Sequence, residues 1–319
     1  MITVFAHRDR TERFERFEPA WLQDGSDVVS WVDIEAPTDD DARVLREVFR
    51  FHELAVEDAL SPLHHPKIER YDDFLFIILH GMAAESGGSR IATDDVDFFL
   101  GPRCLVTVHA GAQSVRAVRE WCDRTSTALG EGLPALIHRI ADHLIDNYEP
   151  EISALADRID TIEDDALSDG GSDIVRPILD VKRDVMALRR VTLPQRDLMS
   201  RLARREFVEI DERVAYRFRD VHDHLVRLAD ESLALQDRIT GVLEAHLSLV
   251  SNRLNEVMKV LTIIASISIP MTVLTGIYGM NVALPPFPGG ADAQFWWVGG
   301  MIAGLAVAML WFFKRRRWF

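Results

Sequence analysis

Four ligand-type side chains crowd into five residues of this sequence: Asp220, His222, Asp223 and His224, in the run RDVHDH. Asp220 and His224 are four apart, which puts them on one face of a helix. A carboxylate there suits a hard divalent cation such as Mg²⁺, and an imidazole suits zinc, cobalt or nickel. A solvated contact between the two side chains is the other reading of that spacing. A second pattern lies downstream. Met258, Leu261, Ala265, Ser268, Thr272, Gly276 and Gly279 recur at steps of three and four. A repeat near 3.5 places them on one helix face. That face changes along its length from apolar to hydroxyl-bearing and small. Apolar rings close a pore by dewetting, while hydroxyl and carbonyl oxygens hold a hydrated cation. The rival account has each Ser and Thr bonding to its own helix. One chain supplies one such face, so a pore requires several copies around an axis. Extended backwards, the repeat reaches Glu244, which is either part of an acidic ring at an inner pore mouth or a single exposed stalk residue.

The helix that carries both patterns must be long. From Asp211 to Tyr278 the sequence has two glycines, Gly241 and Gly276, and one proline, Pro270. Unbroken, such a helix spans ~100 Å. Its end, 260–278 (VLTIIASISIPMTVLTGIY), carries no charge. At ~1.5 Å per residue it reaches roughly 28 Å, close to a hydrocarbon thickness of about 30 Å. A second uncharged run, 293–313 (AQFWWVGGMIAGLAVAMLWFF), follows. Trp296, Trp297 and Trp311 sit towards its ends, as interfacial aromatics do. Gly300 and Gly304 form a small-xxx-small pair, which reads either as a close-packing site or as part of a plain lipid-facing helix. The tail KRRRWF marks the cytoplasmic side by the positive-inside rule. Two spans return the chain to the side it left. The expectation is therefore a multi-pass protein of the cell (inner) membrane with both termini cytoplasmic and NVALPPFPGGAD outside.

What precedes the spans reads as soluble. The 319 residues include 36 basic and 51 acidic ones, net −15. Residues 1–253 alone carry 31 basic and 49 acidic residues, net −18. That balance excludes nucleic acid as a main partner, because phosphate binding needs a basic surface. No glycine-rich phosphate loop follows a strand, so no nucleotide is expected. No nucleophile–base arrangement points to an enzyme. Cys104 and Cys122 lack metal-type spacing and read as buried thiols in a reducing compartment. The N-terminus has no apolar core of the signal-peptide kind.

VVSWVDI reads as a strand, Thr38 as the N-cap of a helix, and FHELAVEDALSP as a second short helix. YDDFLFIILHGM, DDVDFFLG and RCLVTVHA read as strands. The chain thus divides into an α/β domain (1–113), an acid-rich helical hairpin region (114–210), a stalk helix continuing into the first span (211–278, the span from about 257), an outer loop (279–294), a second span (295–313) and a basic tail (314–319). Helix breaks are expected at 130–134, at 169–173 and around Pro194, Phe207 and Val208. Residues 142–169 hold ten acidic residues and one basic, Arg158. Such a run is either a solvated face or a surface that gathers divalent cations.

With Tyr278-Gly279-Met280-Asn281 after the first span, two terminal spans and a basic tail, the sequence resembles the CorA family of magnesium and cobalt transporters. Their signature is Gly-Met-Asn after the first of two membrane helices. SNRLNEVMKVLTIIASISIPMTVLTGIYGMN is similar to the family's stalk and pore helix. HELAVEDALSPLHHPKIERYDDFLFIILH resembles its cytoplasmic α/β region, and RFRDVHDH its stalk. The resemblance implies a homopentameric channel: an α+β cytoplasmic funnel, with an N-terminal α/β sheet and then long helices, plus two C-terminal transmembrane helices. It implies a selectivity ring of Gly279, Met280 and Asn281, with Thr272 and Gly276 further down the pore beside Ser268 and Ala265 of the same seam. Asn255 would form an inner ring, and Met258 and Leu261 a hydrophobic gate. Asp220 matches a regulatory carboxylate that binds Mg²⁺ between protomers, with Glu85 as its acidic partner. Asp223 and His224 match positions beside the cytoplasmic metal sites, and Glu244 one at the inner mouth. The implied cargo is hydrated Mg²⁺, Co²⁺ or Ni²⁺, driven by the membrane potential and gated by cytoplasmic Mg²⁺. Ile269 stands where some members place Met, and the outer loop has Asp292 as its one charge. A ZntB-type zinc transporter is the rival within the superfamily, although that branch usually varies the position of Met280. A membrane-anchored oligomeric sensor is the rival of another class.

Overall fold

The computed structural model describes residues 1–23, 25–61, 65–83, 91–167, 174–280, 288, 291–316 and 318. They fall into two compact units, Met1–Leu243 and Glu244–Phe319.

The chain opens with a hairpin, β1 (Ile2–His7) and β2 (Thr11–Phe14), in which Val4 faces Phe14. The sequence pattern assigns no strand there. ITVFAH is a short apolar run of the kind that strands and buried helix segments share, and TERF is half charged. Next come β3 (Val29–Glu35), α1 (Asp39–Glu47), α2 (Glu53–Leu60) and β4 (Lys67–Arg70). Strands β5 (Leu75–Met82), β6 (Thr93–Leu100) and β7 (Cys104–His109) follow. Thr38 caps α1 in a reciprocal box: its Oγ1 accepts from the Asp41 amide at 3.4 Å, and the Asp41 carboxylate accepts from the Thr38 amide at 2.8 Å.

The seven strands form one sheet in the order β2-β1-β3-β7-β6-β5-β4. β3 and β7 run parallel at its centre, with Val32 opposite Val106. The other pairs are antiparallel. Side chains alternate between faces along each strand. One face sends Val32, Ile78 and Phe99 into a core with Leu45 of α1 and Val56 of α2. The other sends Phe5, Leu79 and Phe98 into a larger core made with the later helices.

Those helices are α3 (Gln113–Arg124), α4 (Leu133–Asp146), α5 (Tyr148–Leu167), α6 (Val175–Ala203), α7 (Glu212–Tyr278) and α8 (Ala291–Arg315). Gly132, at φ 92°, makes the turn into α4. The break expected at 169–173 lies outside the described residues. α6 runs through Pro194 without the expected break. The proline ring removes one helix hydrogen bond, but Val191, Gln195, Leu198 and Met199 around it are all buried, and that packing holds the helix. The chain leaves the helix between Ala203 and Glu212, where Phe207 and Val208 mark the expected break. From Val214 to Val242, α7 buries one stripe in the larger core; Phe218, Leu225 and Ile239 belong to it. Cys104 and Cys122 are free and buried, and burial pushes both thiols up to about 12.

A buried polar network ties α3 to the central strands. Trp31 stacks on Phe5 at 5.4 Å and donates its indole N–H to Thr107 Oγ1 at 3.0 Å. Thr107 donates to Asp33 Oδ1 at 2.6 Å, and His109 Nε2 lies 3.1 Å from the same oxygen. His109 Nδ1 accepts from the Ala112 amide at 2.9 Å, which leaves Nε2 as the donor to Asp33. Arg119 reaches Asp33 Oδ2 and Glu35 Oε2, both at 3.2 Å. Arg116 also bonds Glu35 and holds that carboxyl below its usual range. Truncating Asp33 would strand Arg119 and His109 in this site. Asp33→Ala should lower stability by about 3–5 kcal/mol, read as a fall in the denaturation midpoint of the purified protein.

Asp97 on β6 is a second buried carboxyl, 2 % exposed. Burial pushes it well above the usual carboxylate range, and Asp95 and Asp58 add to this against Lys67. A carboxyl raised by folding binds its proton more tightly in the folded state, so its stabilising effect is present at low pH. That effect is lost as pH rises through the raised value. Asp97→Asn, which keeps the shape without the charge, should flatten this fall. Melting temperatures of variant and parent at pH 5 and pH 8 should diverge at pH 8, with the variant higher.

Candidate functional site

In the second unit α7 presents two contrasting faces. Ile263 is buried, and Ile267, Pro270, Leu274 and Tyr278 are half-buried; at about 100° per residue they form one covered stripe. Met258, Leu261, Ser268, Thr272 and Gly276 are exposed and lie roughly on the opposite side. Ala265, of the same seam, is half-buried, and Asn255 and Glu244 are exposed. The residues whose spacing marked a seam therefore share a face that the chain itself leaves largely uncovered.

The hydroxyl chemistry on that face is specific. Thr272 donates to the Ser268 carbonyl at 2.9 Å, Thr275 to the Thr272 carbonyl at 3.0 Å, and Thr262 to the Met258 carbonyl at 2.7 Å. Back-bonding to the helix thus holds for these three residues. It also fixes what remains available: each hydroxyl has spent its proton and keeps oxygen lone pairs, which accept from the water shell of a cation. Gly279 closes the helix, its amide donating to the Thr275 carbonyl at 2.8 Å. A Cβ at Gly279 would stand 2.9 Å from that same carbonyl oxygen, so the position has no room for a side chain without backbone movement. Gly276 has open space around the equivalent point. Met280 is exposed, and Asn281 lies outside the described residues.

The Asp–His cluster sorts differently from its i,i+4 spacing. Asp220 and Asp223 are exposed on α7. His222 Nδ1 is 3.1 Å from Asp223 Oδ1, and His224 Nδ1 is 3.7 Å from Asp146 Oδ1 on α4. The carboxylate that His224 meets is thus Asp146, across the helix interface, and not Asp220. Burial raises the Asp146 carboxyl, as does Asp142, while His224 and His143 pull it down. Sequence spacing missed Asp146 because the contact joins positions far apart in the chain; the acidic run 142–169 was the one local signal. That run is also more tightly laced than its composition implied. Arg238 of α7 pairs with both Asp160 and Glu163, and Arg158 pairs with Asp184 at 2.7 Å. Among the described residues, no three His, Cys, Asp or Glu side chains converge as a metal site within one chain. Glu85 lies outside the described residues.

Both apolar stretches are long enough to cross a membrane, one within α7 and one at residues 293–315. Against known proteins, residues 26–315 match the family model described as CorA-like Mg²⁺ transporter protein. The chain is 31 % identical to a putative metal ion transporter, YfjQ, of Bacillus subtilis, over 97 % of this chain and 93 % of the relative. It is also 31 % identical to the cobalt/magnesium transport protein CorA of Thermotoga maritima, over 85 % of this chain and 78 % of that one. The complete structure of the CorA magnesium transporter from Methanocaldococcus jannaschii has the same fold, with a TM-score of 0.82 over 100 % of this chain and 99 % of that one, at 19 % identity. A covered α/β sheet, a long helix ending at Gly279 and a second apolar helix are thus matched almost end to end, and the chain belongs to the CorA family of divalent-cation transporters, which are not enzymes.

Proposed function

We propose that this protein is a homopentameric channel that passes hydrated Mg²⁺, with Co²⁺ and Ni²⁺ as further cargo, into the cell down the membrane potential. The observation that carries this is the uncovered seam of Met258, Leu261, Ser268, Thr272 and Gly276, set opposite the covered stripe of a membrane-length helix. Further exposed apolar side chains, Leu247, Val250, Leu254 and Val257, precede it on α7. Neighbouring copies around an axis would cover that surface and turn the seams inward.

Mg²⁺ dehydrates reluctantly, so neutral oxygens that accept from its water shell avoid the cost of stripping it. Thr272 supplies such an oxygen, and Gly279, Met280 and Asn281 would frame the outer mouth. Met258 and Leu261 would form the dewetting gate, with Asn255 and Glu244 at the inner end. The membrane potential is worth ~2.3 kcal/mol per charge per 100 mV, so a divalent ion needs no nucleotide to drive it inward. Asp220 with Glu85, beside Asp223 and His224, would bind cytoplasmic Mg²⁺ between protomers and hold the ring closed. In this reading the N- and C-termini are cytoplasmic. The runner-up is zinc transport, favoured by the imidazoles of His222 and His224 on the stalk.

Purified protein in liposomes loaded with a divalent-sensitive dye should admit Mg²⁺ under an inside-negative potential. Asn281→Ala should cut the initial rate at least tenfold, about 1.4 kcal/mol. Thr272→Val, which keeps the shape and removes the oxygen, should cost less. Zn²⁺ uptake that follows a pH gradient, with no Mg²⁺ uptake, would replace this reading by the zinc one.

The regulatory half makes a separate prediction. With millimolar Mg²⁺ inside the liposomes the parent protein should close. The double variant Asp220→Asn, Glu85→Gln should keep conducting. Equal inhibition of parent and variant would remove these carboxylates from the gate.

A further inference from the structure

A cavity of about 440 Å³ opens beside the first hairpin of the sheet. Its walls come from residues 6–28, none of which the transport reading uses. The turn between β1 and β2 supplies Asp9, and Glu18 stands just before a short 3-10 helix, Pro19–Leu22. Trp21 of that helix is 8 % exposed and forms an apolar wall, with the Phe14 ring edge-on to it at 5.1 Å. Its indole N–H meets no acceptor among the described residues. The cations at the rim are already engaged. Arg8 donates to Asp27 at 3.0 Å, and Arg10 pairs with Glu12. Two carboxylates of the lining, Asp9 and Glu18, have no side-chain partner among the described residues.

The cavity thus offers two uncompensated negative charges, one unspent N–H donor and an aromatic wall. An anion would meet the carboxylates and is disfavoured. A divalent metal ion takes several protein oxygens at once when it sheds water, and among the described residues no three His, Cys, Asp or Glu side chains converge. An organic cation fits each feature. Ammonium groups answer Asp9 and Glu18, a hydroxyl oxygen accepts from the Trp21 indole, and C–H surface lies against Trp21 and Phe14. The volume lies within the range of roughly 300–1,000 Å³ that small-molecule sites occupy, enough for a body of sugar size. We propose that this cavity binds a polyhydroxylated amine of the amino-sugar class. The occupant is neither the transported ion nor a ligand of the stalk, so the site adds a second kind of recognition to the first unit.

The test is a calorimetric titration of the intact detergent-purified protein at physiological salt, which screens non-specific attraction to its acidic surface. The probe is diaminopropanol, which carries two ammonium groups and one hydroxyl. It should saturate at one molecule per chain. Diaminopropane lacks the hydroxyl and aminopropanol lacks one ammonium, so each should bind roughly fivefold more weakly. The double variant Asp9→Asn, Glu18→Gln should weaken diaminopropanol by at least about tenfold with an unchanged melting temperature. Glu15→Gln removes an exposed carboxylate of the same segment that does not line the cavity, and should leave binding as it was. Mg²⁺ at equal concentration should not displace the probe. Four results would each overturn the proposal. They are no saturable binding, equal affinity for the three probes, a double variant that binds as the parent does, and displacement by Mg²⁺. The comparison of the three probes needs the parent protein alone, so it stands even where the double variant fails to fold. Binding is read whether or not any ion crosses a membrane, so failure of the transport reading would leave this one to be judged by itself.

Discussion

Inside hydrocarbon an unpaired backbone amide or carbonyl has no water to bond and costs several kcal/mol. That constraint governs how α7 is built. Its last twenty residues must be helix, and the helix must spend nearly every carbonyl on itself. Thr262, Thr272 and Thr275 follow the same rule, donating their hydroxyl protons back to the helix at 2.7–3.0 Å. In the proposed channel, oxygen lone pairs for a passing ion therefore come from two sources. One is side-chain hydroxyls that have already donated. The other is the helix end, where the last carbonyls run out of partners. Gly279 sits at that end, in a position with no room for a side chain. The place where the helix stops and the place where backbone oxygens become available are thus one place.

The first unit solves a different problem with the same economy. A seven-stranded sheet covered on both faces buries its central strands completely, so any charge there must be paired within the protein. Asp33 meets three partners, Thr107 and His109 on β7 and Arg119 on α3, and the tautomer of His109 is set by the Ala112 amide. Asp97 lacks such a set, and burial raises its carboxyl well above the usual range, with Asp95 and Asp58 adding to this. The two carboxyls share one sheet and differ in partners, one facing Arg119 and the other two further carboxyls. The same unit holds α7 through Phe218, Leu225 and Ile239, so the helix is packed before it reaches the apolar stretch.

How much of this was legible in the sequence follows from the range of each signal. The N-cap at Thr38, the strands YDDFLFIILHGM and RCLVTVHA, and the long α7 were readable because their causes lie within a few residues. The β1–β2 hairpin was not, since four of its strand positions gain their meaning only from pairing across the sheet. Pro194 misled because the proline penalty is local while the packing that outweighs it is not. Asp146 and Arg238 were missed because a helix face shows its own residues and not those of the helix that will cover it. The seam was visible because a 3.5 repeat is local. Its extension to Glu244 is weaker, since a straight helix drifts ~20° per heptad and four heptads separate Glu244 from Thr272.

If the proposed seam is the path, the identity of the cargo turns on which ligand atoms the seam lacks. Between 260 and 291 there is no carboxylate, and the last histidine, His246, lies well before the apolar stretch. A path without charge cannot hold a divalent ion for long, and conduction requires that release as much as it requires binding. A path without imidazole or thiolate has nothing to offer a zinc ion in exchange for its waters. A hard cation that keeps its shell needs no such exchange. It needs acceptors spaced to receive the hydrogens of bound water, and a hydroxyl that has donated to the Ser268 carbonyl is one. On the proposed reading, Asp220, Asp223 and His224 on the stalk hold the ion that the seam passes. Stalk and seam then differ in ligand chemistry for a physical reason: one retains the ion that the other lets go.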